Sequence, residues 1–313
     1  MKSRVRFTGI GQITLIGLFD KRMQVLQVIL SGVSQGCIYG LIALGFVLIY
    51  KATETVTFAQ GELMMLGAFA ALGSASYLGW SFAGAVITAT IVMAVMGWMI
   101  ERVFIHPVLG EPAFAIVMLS IGVGYVARGL VTMVPDIGTE THTLPVPYAD
   151  ANFNLAGLVL SATQLIVMLA TGLLCAALYV LFKYTRIGIA MQAVSQNQLA
   201  AYYMGIPVKR LNSLVWALAA VIATIAGILL APITFVHVNM GFIGLKAFPA
   251  AVVGGFGSLP GAVVGGIIIG VVESLAGFWL PEGFKDVAAY VVVLLMLVIK
   301  PNGLFGDNLR KKV

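Results

Sequence analysis

Long apolar runs alternate along this chain with short polar or glycine-rich breaks. A helix needs roughly 20 residues to cross about 30 Å of hydrocarbon. Eight stretches read as spans on that basis: Val25–Tyr50, Thr55–Tyr77, Phe82–Ile100, Ala113–Val134, Leu155–Phe182, Leu211–Phe235, Ala247–Trp279 and Val287–Ile299. Their apolar residues are continuous instead of alternating at period two, which argues against a barrel. The pattern predicts an all-α, polytopic helical bundle with about eight apparent spans.

Two breaks stand out. The stretch TFAQGE at 57–62 places Thr57, Gln60 and Glu62 between apolar runs, and FPAAVVGGFGSLPGAVVGG at 248–266 places Ser258 and Pro260 inside a run too long for one simple span. Backbone departs from helix at membrane depth only where it is buried in protein or lines a cavity, and glycine- or proline-broken segments in both halves of a chain point to a transport site. Thr57, Gln60, Glu62 and Ser258 are therefore candidates for a translocation pathway. The plainer alternative is an interfacial turn with Glu62 at headgroup level, where a charge costs little. If the second break is a re-entrant hairpin, Lys246 is expected near the outer surface and Glu273 toward the inner end of the following helix.

Composition fits a membrane protein: 60% of the 313 residues are hydrophobic and 10% charged, against about 25% charged in a soluble domain, and the mean hydropathy is +1.04. The net charge of +6 then reports topology and not a nucleic-acid partner. Residues 183–210 hold Lys183, Arg186, Lys209 and Arg210 with no acid, so they face the cytoplasm; residues 135–154 hold Asp136, Glu140 and Asp150 with no Lys or Arg, so they face the other side. The chain divides into a basic N-terminal extension (1–22), one transmembrane domain (23–306) and a basic tail (307–313). The N-terminal segment has a basic start and a short apolar stretch but no alanine before Ala43, hence no A-x-A-like cleavage site; it reads as a cytoplasmic or interfacial extension. With both basic ends inside, five spans before the cytoplasmic loop and three after it give the wrong parity twice. Either the charge rule is broken at both ends, or each half hides a discontinuous pass.

Glycine spacing supplies helix packing. Gly32, Gly36 and Gly40, and again Gly257, Gly261 and Gly265, recur every four residues, the spacing that lets membrane helices approach closely. AVVGG occurs at 251–255 and 262–266, one face of a continuous helix were Pro260 not between the copies. Cys37 and Cys175 lie in predicted spans and imply neither a disulfide framework nor a zinc site. In the basic loop, Ala190, Ala193, Val194, Ala201 and Met204 recur at helical spacing before Gly205 and Pro207, which predicts a short amphipathic helix capped at its C-terminus. Its small-residue face suits a cytoplasmic partner; the alternative is a solvated connector.

From about Leu26 to Gly306 the chain resembles the permease subunit of branched-chain amino-acid ABC importers. The likeness rests on SGVSQGCIYGLIALGFVLIY, TFAQGELMMLGAF, ERVFIHPVLG, RIGIAMQAVSQNQLAAYYMGI, GLKAFPAAVVGGFGSLPGAVVGGIIIG and KPNGLFG, in that order. Departures fall at Thr57 and Gln60 (Asn and His in the family), Ile189 (Arg), Asn197 (Asp), His106 (Arg) and Pro249 (Thr). The substrate is thus less firmly specified, because members also carry urea, short amides and aromatic acids. The resemblance implies a related second permease subunit, two cytoplasmic ABC ATPases and a periplasmic solute-binding protein around a multi-pass protein of the cell inner membrane. It makes 183–210 the coupling loop, with Arg186, Ala190, Ala193, Asn197, Ala201 and Gly205 at the ATPase. The chain carries no G-x-x-x-x-G-K-[ST] phosphate loop, so ATP and Mg are expected in the partner ATPase, with no cofactor and no enzymatic activity in this chain.

Two other classes compete with this reading. An ion-coupled secondary transporter needs protonatable or ion-binding groups at the midplane, where Glu62 and Glu273 are the acid candidates. A membrane enzyme finds no constellation in the scattered His106, His142 and His237.

Overall fold

The computed structural model describes residues 10–149, 151–155, 158–281 and 283–306; residues 1–9 of the predicted extension and the predicted tail at 307–313 lie outside them. The helices are α1 (Ile10–Thr53), α2 (Gln60–Ser76), α3 (Phe82–Ile100), α4 (Ala113–Thr132), α5 (Ala162–Tyr184), α6 (Arg186–Gln196), α7 (Gln198–Tyr203), α8 (Val208–Thr234), α9 (Gly241–Gly254), α10 (Leu259–Trp279) and α11 (Phe284–Ile299). A hairpin of β1 (Asn152–Leu155) and β2 (Leu158–Ser161) precedes α5. Six of these helices are long and apolar enough to cross a membrane, with α3 counted through Val108; α2, α9 and α11 are shorter. The molecule is a multi-pass membrane protein.

Three helix starts show side-chain caps that pair amides a water-poor environment would leave unsatisfied. Ser161 and Gln164 form a reciprocal capping box at α5, Thr185 Oγ1 accepts from Gly188 N (3.0 Å) at α6, and Ser258 Oγ accepts from Gly261 N (3.1 Å) at α10. The fifth span therefore starts at Ala162 and not Leu155, because the hairpin takes the intervening residues.

Burial divides the bundle into a centre and a shell. Residues 36–49 of α1 are all buried and α8 is mostly so, whereas α4 and α5 each bury only 17% of their most apolar window. In α1, Gly32, Gly36 and Gly40 face α10 running antiparallel: a Cβ at Gly36 would lie 2.7 Å from Gly266 O and Ile267 Cα, and one at Gly32 2.8 Å from Val271 Cα. The second glycine series meets a different neighbour. Gly261 and Gly265 press α10 onto α9 at Gly254 and Ala250, whereas Gly266 and Gly270 meet α1. Gly257 lies in the turn that reverses the chain between α9 and α10.

That turn is the discontinuous pass predicted in the second half. Gly255 ends α9 at φ +96°, a conformation only glycine enters cheaply, and Pro260 sits in the first turn of α10, where its missing N–H costs nothing. The apolar run from Ala247 is thus two helices, giving four passes after residues 183–210. In the first half no extra pass is found among the described residues. Five helices precede the coupling segment, and α1 starts at the opposite end, where Gln27 Nε2 donates to Val159 O of the hairpin (3.4 Å). The described part of the predicted extension, from Ile10, continues α1 at that same end. Among the described residues, five helices thus precede residues 183–210 and four follow them.

Lys246 lies 2.5 Å from Asp286 in the first turn of α11. Glu273 is a correction. Because α10 starts at the cytoplasmic end, its fifteenth residue is near the outer end, and Glu273 faces Lys285 at 4.0 Å instead of lying inward.

Candidate functional site

The TFAQGE stretch joins a non-helical segment at 57–59 to the first turn of α2 at 60–62, and its residues meet different neighbours. Thr57 is buried. Phe58 packs its ring on Phe248 of α9 (5.6 Å) and donates its N–H to Ser120 Oγ of α4 (3.0 Å). Ala59 stands at the start of α2. Gln60, fully buried, donates from Nε2 to Ala219 O of α8 (3.1 Å). At Gly61 the first turn of α2 crosses the start of α9, so that a Cβ there would lie 3.2 Å from Gly244 Cα. Glu62 pairs with Arg128 of α4.

Arg128 is the residue that sequence reasoning missed. Its signal was present: Ile116, Ser120, Gly124 and Arg128 recur every four residues in α4, and the first three are its buried residues. The stripe faces α2. Ser120 takes the Phe58 amide, a Cβ at Gly124 would lie 2.8 Å from Glu62 Cγ, and Arg128 takes the carboxylate. An arginine within an apolar span marks a functional site by default. The guanidinium is stacked 4.0 Å from the centroid of Phe242 and lies 5.8 Å from that of Tyr125, within the range of cation–π attraction.

The polar groups here are incompletely satisfied by protein. Thr57 Oγ1, Gln60 Oε1, Glu62 Oε2 and Arg128 Nε are buried atoms without a hydrogen-bond partner among the described residues. Each such atom costs about 1–3 kcal/mol unless something else satisfies it; those of Glu62 and Arg128 lie where α2 meets α4, while the Gln60 amide is turned toward α1 and α8.

Ser258 is not part of this group. It caps α10 and lines a separate cleft of about 670 Å³ toward the cytoplasmic end, with Lys51, Tyr179 and Gln192. A second buried acid was also missed. Glu101, fully buried, opens a π-helical turn (Glu101–Ile105) after α3; its carboxyl accepts from Ser213 of α8 and lies 3.3 Å from His106 Nδ1. It ties the end of α3 to α8 just past the coupling segment.

In that segment the expected single helix is two, since Asn197 adopts extended backbone (φ −161°, ψ 105°) and caps α7 by accepting from Ala200 N (2.9 Å). Gly205 does end the unit at φ +80°: its N–H reaches Tyr202 O and the Ile206 N–H reaches Ala201 O, both 3.0 Å, the two bonds of a Schellman motif. The small-residue face is turned differently from the expectation. Ala201 is buried against its own chain and Ala190 and Ala193 are half-buried, while Arg186, Ile189, Leu199, Tyr202, Tyr203 and Met204 are exposed. Small residues here let the segment pack onto α1 and α8, and Gln198 Nε2 fastens it to Ala52 O (2.7 Å).

The chain is similar over almost its whole length to known transport proteins. The family model described as "Branched-chain amino acid transport system / permease component" matches residues 28–300. The "High-affinity branched-chain amino acid transport system permease protein LivH" of Escherichia coli (strain K12) is 31% identical over 94% of this chain and 99% of its own length. The corresponding protein BraD of Pseudomonas aeruginosa is 29% identical over 92% of this chain and 98% of its own. A probable branched-chain amino acid transport permease of Methanocaldococcus jannaschii is 27% identical over 87% and 89%. With re-entrant helices, polar groups at the break and these similarities together, the chain belongs to the family of permease components of branched-chain amino acid transport systems.

Proposed function

We propose that this protein is the membrane-spanning permease subunit of an ATP-driven importer, passing branched-chain amino acids inward along a path that borders the α1–α2 break. The observation that carries the reading is the set of unpartnered buried polar atoms on Thr57, Gln60, Glu62 and Arg128, at and beside the α1–α2 break of an apolar bundle. Such atoms are tolerated where water or a polar solute meets them. The names of the relatives favour branched-chain amino acids over urea, short amides or aromatic acids. A secondary-transport mechanism is less well supported, because Glu62 is paired with Arg128 and Glu101 with Ser213 and His106.

The partners follow from what the chain lacks and what it displays. Without a phosphate loop it relies on ATPase subunits that bind ATP and Mg. The exposed Leu199, Tyr202, Tyr203 and Met204 of α7 and its cap offer them an apolar seat beside Arg186. A second permease subunit would cover α4 and α11, and a periplasmic solute-binding protein would deliver the solute. Reconstitute the chain with a second permease subunit, ATPase subunits and a solute-binding protein of a branched-chain amino acid transport system and measure ATP-dependent uptake of labelled leucine into proteoliposomes. Uptake that requires ATP and binding protein is the expected result; ATP-independent uptake driven by an ion gradient would overturn the assignment.

A further inference from the structure

The geometry points to the Glu62–Arg128 pair as a transient binding site for the zwitterionic head of an α-amino acid, which enters by exchanging each side chain's partner for its own opposite charge. This inference rests on the transport reading above and assigns the residues that would hold the charged head of the solute. Glu62 and Arg128 share one contact through Oε1, leaving Glu62 Oε2 and Arg128 Nε buried without a protein partner. Each side chain is still reachable, at 16% and 12% exposure. Phe242 holds the guanidinium by one face, and the glycines at 124 and 241 let α4 and α9 close on the Glu62 side chain: a Cβ at Gly241 would lie 2.7 Å from Glu62 Oε2.

Charge bookkeeping gives the selectivity. In a partly buried site, a charge that loses its partner is strongly penalised. A zwitterion presents an ammonium to Glu62 and a carboxylate to Arg128, whose planar fork suits carboxylate geometry, so all four charges stay paired through the exchange. A simple carboxylate satisfies Arg128 and strands Glu62; an amine does the reverse; urea or an amide satisfies neither fully. Phe242 and Tyr125, both exposed beside the guanidinium, supply an apolar surface for an aliphatic side chain.

The test compares three probes of nearly equal shape by saturation-transfer NMR on the assembled transporter in nanodiscs, without nucleotide or binding protein: leucine, 4-methylpentanoate and 3-methylbutylamine. Leucine should bind roughly tenfold or more tightly than either singly charged probe. Glu62→Gln should invert the order in favour of 4-methylpentanoate, and Arg128→Gln in favour of the amine, a switch that a merely structural ion pair would not produce. Equal binding of the three, no binding of leucine, or an unchanged order in the variants overturns the site. Should the variants fail to reach the membrane, the order in the wild-type complex decides alone. Leucine import by the wild-type complex separates the two levels: import with a flat probe order discards the site and keeps the transport reading, whereas no import of any amino acid discards both.

Discussion

The amide of Gln60 occupies the space that a Cβ on Gly45 would need. The glycine in the middle of α1 is thus the socket for the first residue of α2, and the same amide then reaches Ala219 O at 3.1 Å. Gly45→Ala should expel Gln60 and break its anchor to α8, at a cost of about 1–3 kcal/mol. Gly45→Ala combined with Gln60→Ala should recover most of that loss. Thermal unfolding of the solubilised protein checks both, and additive losses would show that the two residues are not coupled.

The two faces of α10 make separate predictions. Gly266→Val and Gly36→Val press on the same α1 contact, so each should lower membrane abundance and the pair should be less than additive. Gly261→Val acts on the α9 contact and should add to either. Quantitative immunoblotting of membranes with detergent melting curves measures this; full additivity of Gly36→Val with Gly266→Val would contradict the packing described.

Glu101 ties the π-helical turn to Ser213. Glu101→Leu removes the acceptor and should destabilise the solubilised protein by about 1–3 kcal/mol, while Glu101→Gln keeps an acceptor of the same length and should lose less. If the two variants melt alike, the carboxyl's hydrogen bonds contribute nothing measurable.

Coupling can be tested on the exposed and buried faces separately. Leu199→Asp and Tyr203→Asp should leave abundance unchanged and weaken co-purification of the ATPase, because they alter only the outward apolar seat. Ala201→Arg should instead reduce abundance, since its site is inside the chain. Gly205→Val forces a β-branched residue to φ +80°, a strain of about 1–2 kcal/mol, and should lower uptake at near-normal abundance. ATPase retention by the Asp variants equal to wild type would move the contact elsewhere.

Cysteine labelling checks the chain direction. Lys246→Cys and Asp286→Cys should both react with impermeant reagent from the outer side, as their ion pair requires. Reaction of either from the cytoplasmic side alone would reverse the arrangement of α9 to α11.

The sequence by itself determined the solvent, the helical class, most spans, the break near Ser258 and the cap at Gly205. Each of these depends on neighbours in the chain: hydrophobic run length, a proline that cannot continue a helix, a glycine that can turn left-handed. The motifs around TFAQGE and KPNGLFG also pointed to the family. Tertiary structure decided what no local signal encodes. Whether Gly266 faces α1 while Gly265 faces α9 depends on where two other helices lie. Ala201 turns inward because Asn197 breaks the coupling segment and resets its face. Arg128 lies 66 residues from Glu62, so neither residue announces the other. A charged pair in an apolar bundle is stabilised by the distance between its ends, and that distance is set by the packing of α2 against α4, not by any stretch of sequence.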